Sequence, residues 1–142
     1  MKRKLILLTV VLAATVTVLC AAVFTYPTDP KISGPFLARV ETLTDAATVT
    51  PVSDSYDGGL LATVSQTTTI ANPTGTPGNF QRYTLRMKST SARTLAWGAQ
   101  FRSSSDMPAP ATTSGASLTD YMTFQWNSAD SKWDCLGKNF GF

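Results

Sequence analysis

One glutamate, eight aspartates, two cysteines and no histidine are the side chains from which this 142-residue chain would have to build a reactive centre. Without histidine it lacks the commonest general base, the commonest zinc ligand and every Ser-His or Cys-His nucleophile arrangement. Glu41 and the aspartates show no spacing that suggests a paired acid and base, and several aspartates stand beside Gly, Ser or Asn, where turns use Asp for its local hydrogen bonds. Cys20 and Cys135 make no disulfide framework. Cys20 lies in an apolar run and follows Leu19, where a lipoprotein signal takes a small residue, and Cys135 reads as a small buried hydrophobe in a strand. No Ser-Lys motif is recognisable. The sequence therefore assigns no catalytic, cofactor-binding or metal-binding residue, and an enzyme is not expected.

Two groups of residues could bind rather than react. In Arg82-Tyr83-Thr84-Leu85-Arg86-Met87-Lys88, strict period-two alternation puts Tyr83, Leu85 and Met87 on one face and Arg82, Thr84, Arg86 and Lys88 on the other. That cationic row is either a solvated sheet face or a surface for an anionic glycan or capsid partner. Trp97, Trp126 and Trp133 could form a carbohydrate platform, but each sits on an alternating strand, where core packing is the default. The formal charge of +3 suggests nucleic acid, yet Lys2, Arg3 and Lys4 carry the whole excess. From Val23 onward nine basic residues face nine acidic ones, which leaves no net field for phosphate, so no nucleic-acid partner is expected.

The elements that must position these residues fall into three parts: an apolar N-terminal segment at 1–24, a linker at 25–43 and a β domain at 44–142. Leu5 to Phe24 is uncharged and follows the basic start. It fits a signal peptide cut after Ala22, a membrane anchor of about 20 residues, or an intersubunit arm, given its β-branched content. Contact with a membrane would run through residues 5–24. Tyr26-Pro27-Thr28-Asp29-Pro30 breaks any helix, since each proline removes a donor and extends its neighbour.

Beyond Leu43, short alternating runs between Gly, Pro, Ser and Asn clusters predict an all-β fold, a small antiparallel sandwich of jelly-roll type. Expected strands are 47–52, with Pro51 marking an edge or an end, then 60–64, 67–71 and 82–88. Others are expected at 94–101, with a bulge at Gly98, at 118–126 and at 133–136, the last two joined by a hairpin over 127–132. Trp126 and Trp133 flank that hairpin and are expected to pack as a cross-strand pair. Met107-Pro108-Ala109-Pro110, in the loop at 103–117, is expected across a sheet edge.

Several blocks, in order, resemble a domain that recurs in tail-fibre and other virion structural proteins of tailed bacteriophages. They are Ala47-Thr48-Val49-Thr50-Pro51, Ala71-Asn72-Pro73-Thr74-Gly75-Thr76-Pro77, the strand Tyr83 to Lys88, Ala92-Arg93-Thr94-Leu95-Ala96-Trp97, and Asn127 to Asp134. Together they span about residues 44–138. The resemblance implies a non-catalytic virion protein, a tail-fibre, head-fibre or capsid decoration component that displays a β domain for assembly or host attachment. It further implies other virion proteins as partners, a host-surface glycan as a candidate ligand, and a homo-oligomer, with a trimer favoured. The apolar N-terminal run departs from that family's pattern. It keeps a second reading open, a secreted or membrane-tethered adhesin or carbohydrate-binding module.

Overall fold

The computed structural model describes residues 37–142. The apolar segment at 1–24 and most of the linker lie outside the described residues, and with them the signal, anchor and arm readings.

The strand with the strictest alternation organises the rest. Apolar residues alternate with polar and charged ones between Arg82 and Lys88, so that one face can be buried while the other stays in water. Tyr83, Leu85, Met87 and Ser89 are buried in this strand, and Arg82, Arg86 and Lys88 are exposed. In chain order the nine strands are β1 (Val40–Thr42), β2 (Thr48–Val49), β3 (Gly58–Leu61), β4 (Thr68–Ile70), β5 (Arg82–Ser89), β6 (Leu95–Trp97), β7 (Phe101–Arg102), β8 (Leu118–Asn127) and β9 (Lys132–Asn139). They form a six-stranded sheet ordered β1-β3-β5-β8-β9-β7 and a three-stranded sheet ordered β2-β4-β6.

The chain alternates between the sheets, so the pairs β1–β3, β3–β5, β2–β4 and β4–β6 are all parallel. Parallel neighbours need a crossover connection, and here each crossover passes through a strand of the opposite sheet. Only β5–β8 and β8–β9 are antiparallel, and β7 joins β9 in parallel. The fold is all-β among the described residues, but its pairing is mixed, and this corrects the expected antiparallel, jelly-roll-like arrangement. The reason is physical. The connections from Val49 to Gly58 and from Leu61 to Thr68 are short, yet each carries the chain across to the other sheet.

Two further differences concern boundaries. The expected linker contains β1, whose main chain pairs Val40 with Gly58 and Thr42 with Leu60. The expected strand at 94–101 is two strands in different sheets, separated at Gly98. There the Gly98 N–H donates to Ile70 O (2.7 Å), and a Cβ would lie within 2.9 Å of the Ala71 carbonyl carbon and closer still to Asn72. Only glycine lets the chain pass this close to the neighbouring backbone and leave the small sheet.

The core lies between the inner faces. Leu61, Tyr83, Leu85, Met87, Met122, Phe124, Trp126 and Trp133 come from the large sheet, and Val49, Ile70 and Leu95 from the small one. Trp97, Phe101 and Phe124 form an aromatic cluster with centroids 4.8–5.6 Å apart. The segment 110–113 runs along the free edge of β6. Leu95 N donates to Ala111 O (2.8 Å) and Thr113 N to Arg93 O (2.9 Å), while the Trp97 indole N–H donates to Pro110 O (2.9 Å). The loop thus covers an edge that would otherwise offer unpaired backbone groups to another chain.

Candidate binding face

The inner face of the large sheet is occupied by packing, and its outer face carries the row singled out in the sequence. Strand registers place the outward residues in lines across the sheet. Val40 lies beside Gly58, then Thr84, then Thr123. One step along the strands, Thr42 lies beside Leu60, then Arg86, then Tyr121, then Asn139. Lys88 faces Thr119, and Arg82 faces Gln125, which in turn faces Asp134.

Gly58 contributes no side chain between Val40 and Thr84, which opens a depression of about 420 Å³ walled by Leu60, Arg86 and Tyr121. A second depression of about 240 Å³ continues toward Lys88 and Thr119 and shares those three walls. Tyr121 is propped edge-on against the exposed Phe142 ring, with centroids 5.8 Å apart. Phe142 is held by paired backbone bonds with Thr119, at 2.8 and 3.1 Å.

The electrostatics of this face follow from where the acids are committed. Arg102 takes both Asp134 oxygens (2.6 and 3.0 Å) and also Asp130 (2.8 Å). The guanidinium bonds hold the Asp134 carboxyl below its ordinary range, with a smaller contribution from Asn127. Arg39 likewise engages Asp57 through two side-chain bonds (2.8 and 3.1 Å) and lowers that carboxyl. Buried Asp120 accepts from Ser114 N, Ser114 Oγ and Gly141 N, which fixes the C-terminal residues to β8. The ion pairs among the described residues involve only Arg39 and Arg102. Arg86 and Lys88 therefore face solvent without a carboxylate partner.

The remaining candidates resolve into structure. Trp133 is 1% exposed and Trp126 is 9% exposed. They are register partners whose rings lie 5.3 Å apart, the expected cross-strand pair. Trp97 is half-buried in the aromatic cluster, so the three indoles do not form a surface platform. Cys135 is half-buried against the core, its thiol pushed up by burial, with Met107 Sδ 3.7 Å away. Among the described residues no group of three or more His, Cys, Asp or Glu side chains converges on one point. No helix there is long and apolar enough to cross a membrane.

Sequence reasoning missed Phe80. This aromatic is 70% exposed and sits at φ 63°, a left-handed conformation that bulky side chains rarely adopt. Its N–H donates to Trp126 O (3.0 Å). With Leu136 and Gln125 it borders a groove of about 400 Å³ at the far end of the same outer face. The signal was present in Asn79-Phe80, a large aromatic closing a Pro/Gly loop, but nothing in the periodicity separates an exposed ring there from a buried one.

No protein-family model matches this chain, and no curated protein does either.

Proposed function

We propose that this chain is a non-catalytic structural protein of a tailed-phage virion, a tail-fibre, head-fibre or capsid decoration component whose β domain is displayed for assembly or host-surface contact. The observation that carries the reading is the ordered set of phage-like blocks, each of which has a structural task in this fold. Ala47 to Pro51 contains β2, with Ala71 N donating to Val49 O (2.8 Å). Asn72 Oδ1 accepts the Gln100 N–H (2.8 Å) at the crossing beside Gly98. The block Asn127 to Asp134 is the β8–β9 hairpin, in which Asn127 Oδ1 accepts Ala129 N (3.1 Å) and Asp134 anchors Arg102.

What supports the non-catalytic part of the reading is that the carboxylates Asp57, Asp120 and Asp134 are engaged by internal donors. The single N-terminal run Leu5 to Phe24 favours the alternative, a secreted or membrane-tethered adhesin or carbohydrate-binding module.

Intact-mass measurement of the protein from its natural source separates the two. A chain retaining residues 1–22, recovered from purified particles, supports the virion role and sinks secretion. A product starting near Val23, found in the envelope or medium, overturns the virion role.

A further inference from the structure

We propose that the outer face of the six-stranded sheet, centred on Arg86 between Leu60 and Tyr121, binds an acidic glycan. The inference deepens the display reading above and rests on it for its biological setting.

Charge complementarity decides the sign of the ligand. Arg82, Arg86 and Lys88 project from one face of β5, and two residues along a strand span about 6.8 Å. Arg86 and Lys88 have no acidic partner among the described residues. Asp57, which lines the depression beside Gly58, is held by Arg39, and Asp134, across from Gln125, is held by Arg102. An anion arriving there meets two cations that no carboxylate bridges.

The polar and apolar make-up of the face decides the chemistry that accompanies the charge. Thr84 and Thr119 line the two adjoining depressions with hydroxyls, that of Thr84 shared with Thr123 at 3.2 Å, and Leu60 and Tyr121 add half-buried apolar surface. A sugar ring has the matching pair of surfaces, hydroxyls at its rim and C–H groups on its face. An acidic peptide is matched less well, because extended peptides gain affinity from main-chain bonds at a sheet edge. On this face the main-chain groups of β3, β5 and β8 are committed to their ladders. A nucleic acid needs several neutralised phosphates and a net positive field, which a chain balanced beyond Val23 lacks. The flat, continuous arrangement suits a chain of at least two residues, lying along β5 with one unit in each depression.

Binding of oligogalacturonate to the full-length chain, measured by isothermal titration at low and at moderate salt, tests this. Neutral dextran oligomers, poly-glutamate and a single-stranded oligonucleotide serve as comparison ligands. Oligogalacturonate is expected to bind and to weaken as salt rises. The double variant Arg86→Gln with Lys88→Gln should bind roughly tenfold or more weakly, since two charge-assisted contacts are lost. Lys132→Gln, at the hairpin end of β9 outside both depressions and tied to Ala99 O (2.7 Å), should bind as the parent does. Both substitution sites on β5 are exposed, so unchanged thermal melting verifies that any loss is local.

Absence of oligogalacturonate binding overturns the proposal. So does an equal loss with Lys132→Gln, or equal affinity for poly-glutamate or the oligonucleotide, which marks an unselective anion surface. The virion role fails separately, if the chain is not found in particles, and that result leaves the titration unaffected.

Discussion

Replacing Tyr83 by Phe removes one atom and tests how β1 is held. Tyr83 is 2% exposed, and its hydroxyl donates to Glu41 Oε1 at 2.6 Å. The same oxygen accepts the Val52 N–H at 2.9 Å, so one carboxylate joins β1, β5 and the segment after β2. A hydrogen bond to a charged group contributes about 1.5–3 kcal/mol. Because Glu41 keeps its bond from Val52, the loss should sit near the middle of that range, about 2 kcal/mol. At 4–8 °C per kcal/mol for a domain of this size, the melting point falls by roughly 8–16 °C.

A pH series adds a sign that packing alone does not produce. Burial first, then the bond and charge of Glu41, push the Tyr83 phenol well above its ordinary range. Its folded value is thus higher than its unfolded value of about 10. The stabilisation is fully present below pH 10 and declines as pH rises above it, by up to about 1.4 kcal/mol per unit. Urea unfolding followed by tryptophan fluorescence at pH 7, 9, 10 and 11 reads both effects. The stability difference between parent and Tyr83→Phe should be constant to pH 9 and shrink above pH 10. A loss below about 0.5 kcal/mol at pH 7, or a difference that stays flat to pH 11, would refute the argument.

Other substitutions probe the remaining devices. Trp133→Ala empties the centre of the core and should destabilise by about 3–5 kcal/mol in the same urea assay. Gly98→Ala drives a methyl group into the Ala71–Asn72 backbone and should cost about 1–3 kcal/mol, as overpacking does, with reduced yield of folded protein. Arg102→Gln breaks an exposed charge cluster. Its melting point should fall less than that of Trp133→Ala, and the gap to the parent should close in 1 M salt. Asp134, held low by Arg102, stabilises the fold above the ordinary carboxylate range and loses that contribution as pH falls through its folded value. Acid denaturation of Arg102→Gln should accordingly depend less on pH below about 4, by circular dichroism.

How much of this was legible depended on the range of the interactions involved. β5 was plain because alternation is a local property, and Tyr83, Leu85 and Met87 are buried as their positions required. The β8–β9 hairpin and its Trp126–Trp133 pair were equally local, separated by a short turn with Asn127 and Asp130 supplying its side-chain bonds. Parallel pairing was not legible. The partners of β3, which are β1 and β5, lie across a crossover through the other sheet, and nothing in the composition of Ser53 to Asp57 distinguishes a crossover from a hairpin. Three-residue β1 was hidden for a related reason. Val40-Glu41-Thr42 carries one half-buried side chain between two exposed ones, and its stability comes from a parallel ladder and a Tyr83 bond 42 residues away.

The outer face shows where a sequence pattern stops and structure begins to matter. Alternation places Arg82, Arg86 and Lys88 together, but alone it cannot tell a solvated row from a recognition surface, because both read as exposed charge. The distinction lies in which anions are already taken. Asp134 and Asp57 belong to Arg102 and Arg39, arginines that approach through β7 and through the residue before β1. The glycine that opens the depression beside Arg86 belongs to β3, 28 residues earlier in the chain. A cationic row with its own acids close by would be closed chemistry. Here the acids are held by other cations, and the row faces hollows lined by threonine hydroxyls, aliphatic side chains, one tyrosine ring and an Asp57 already bound by Arg39.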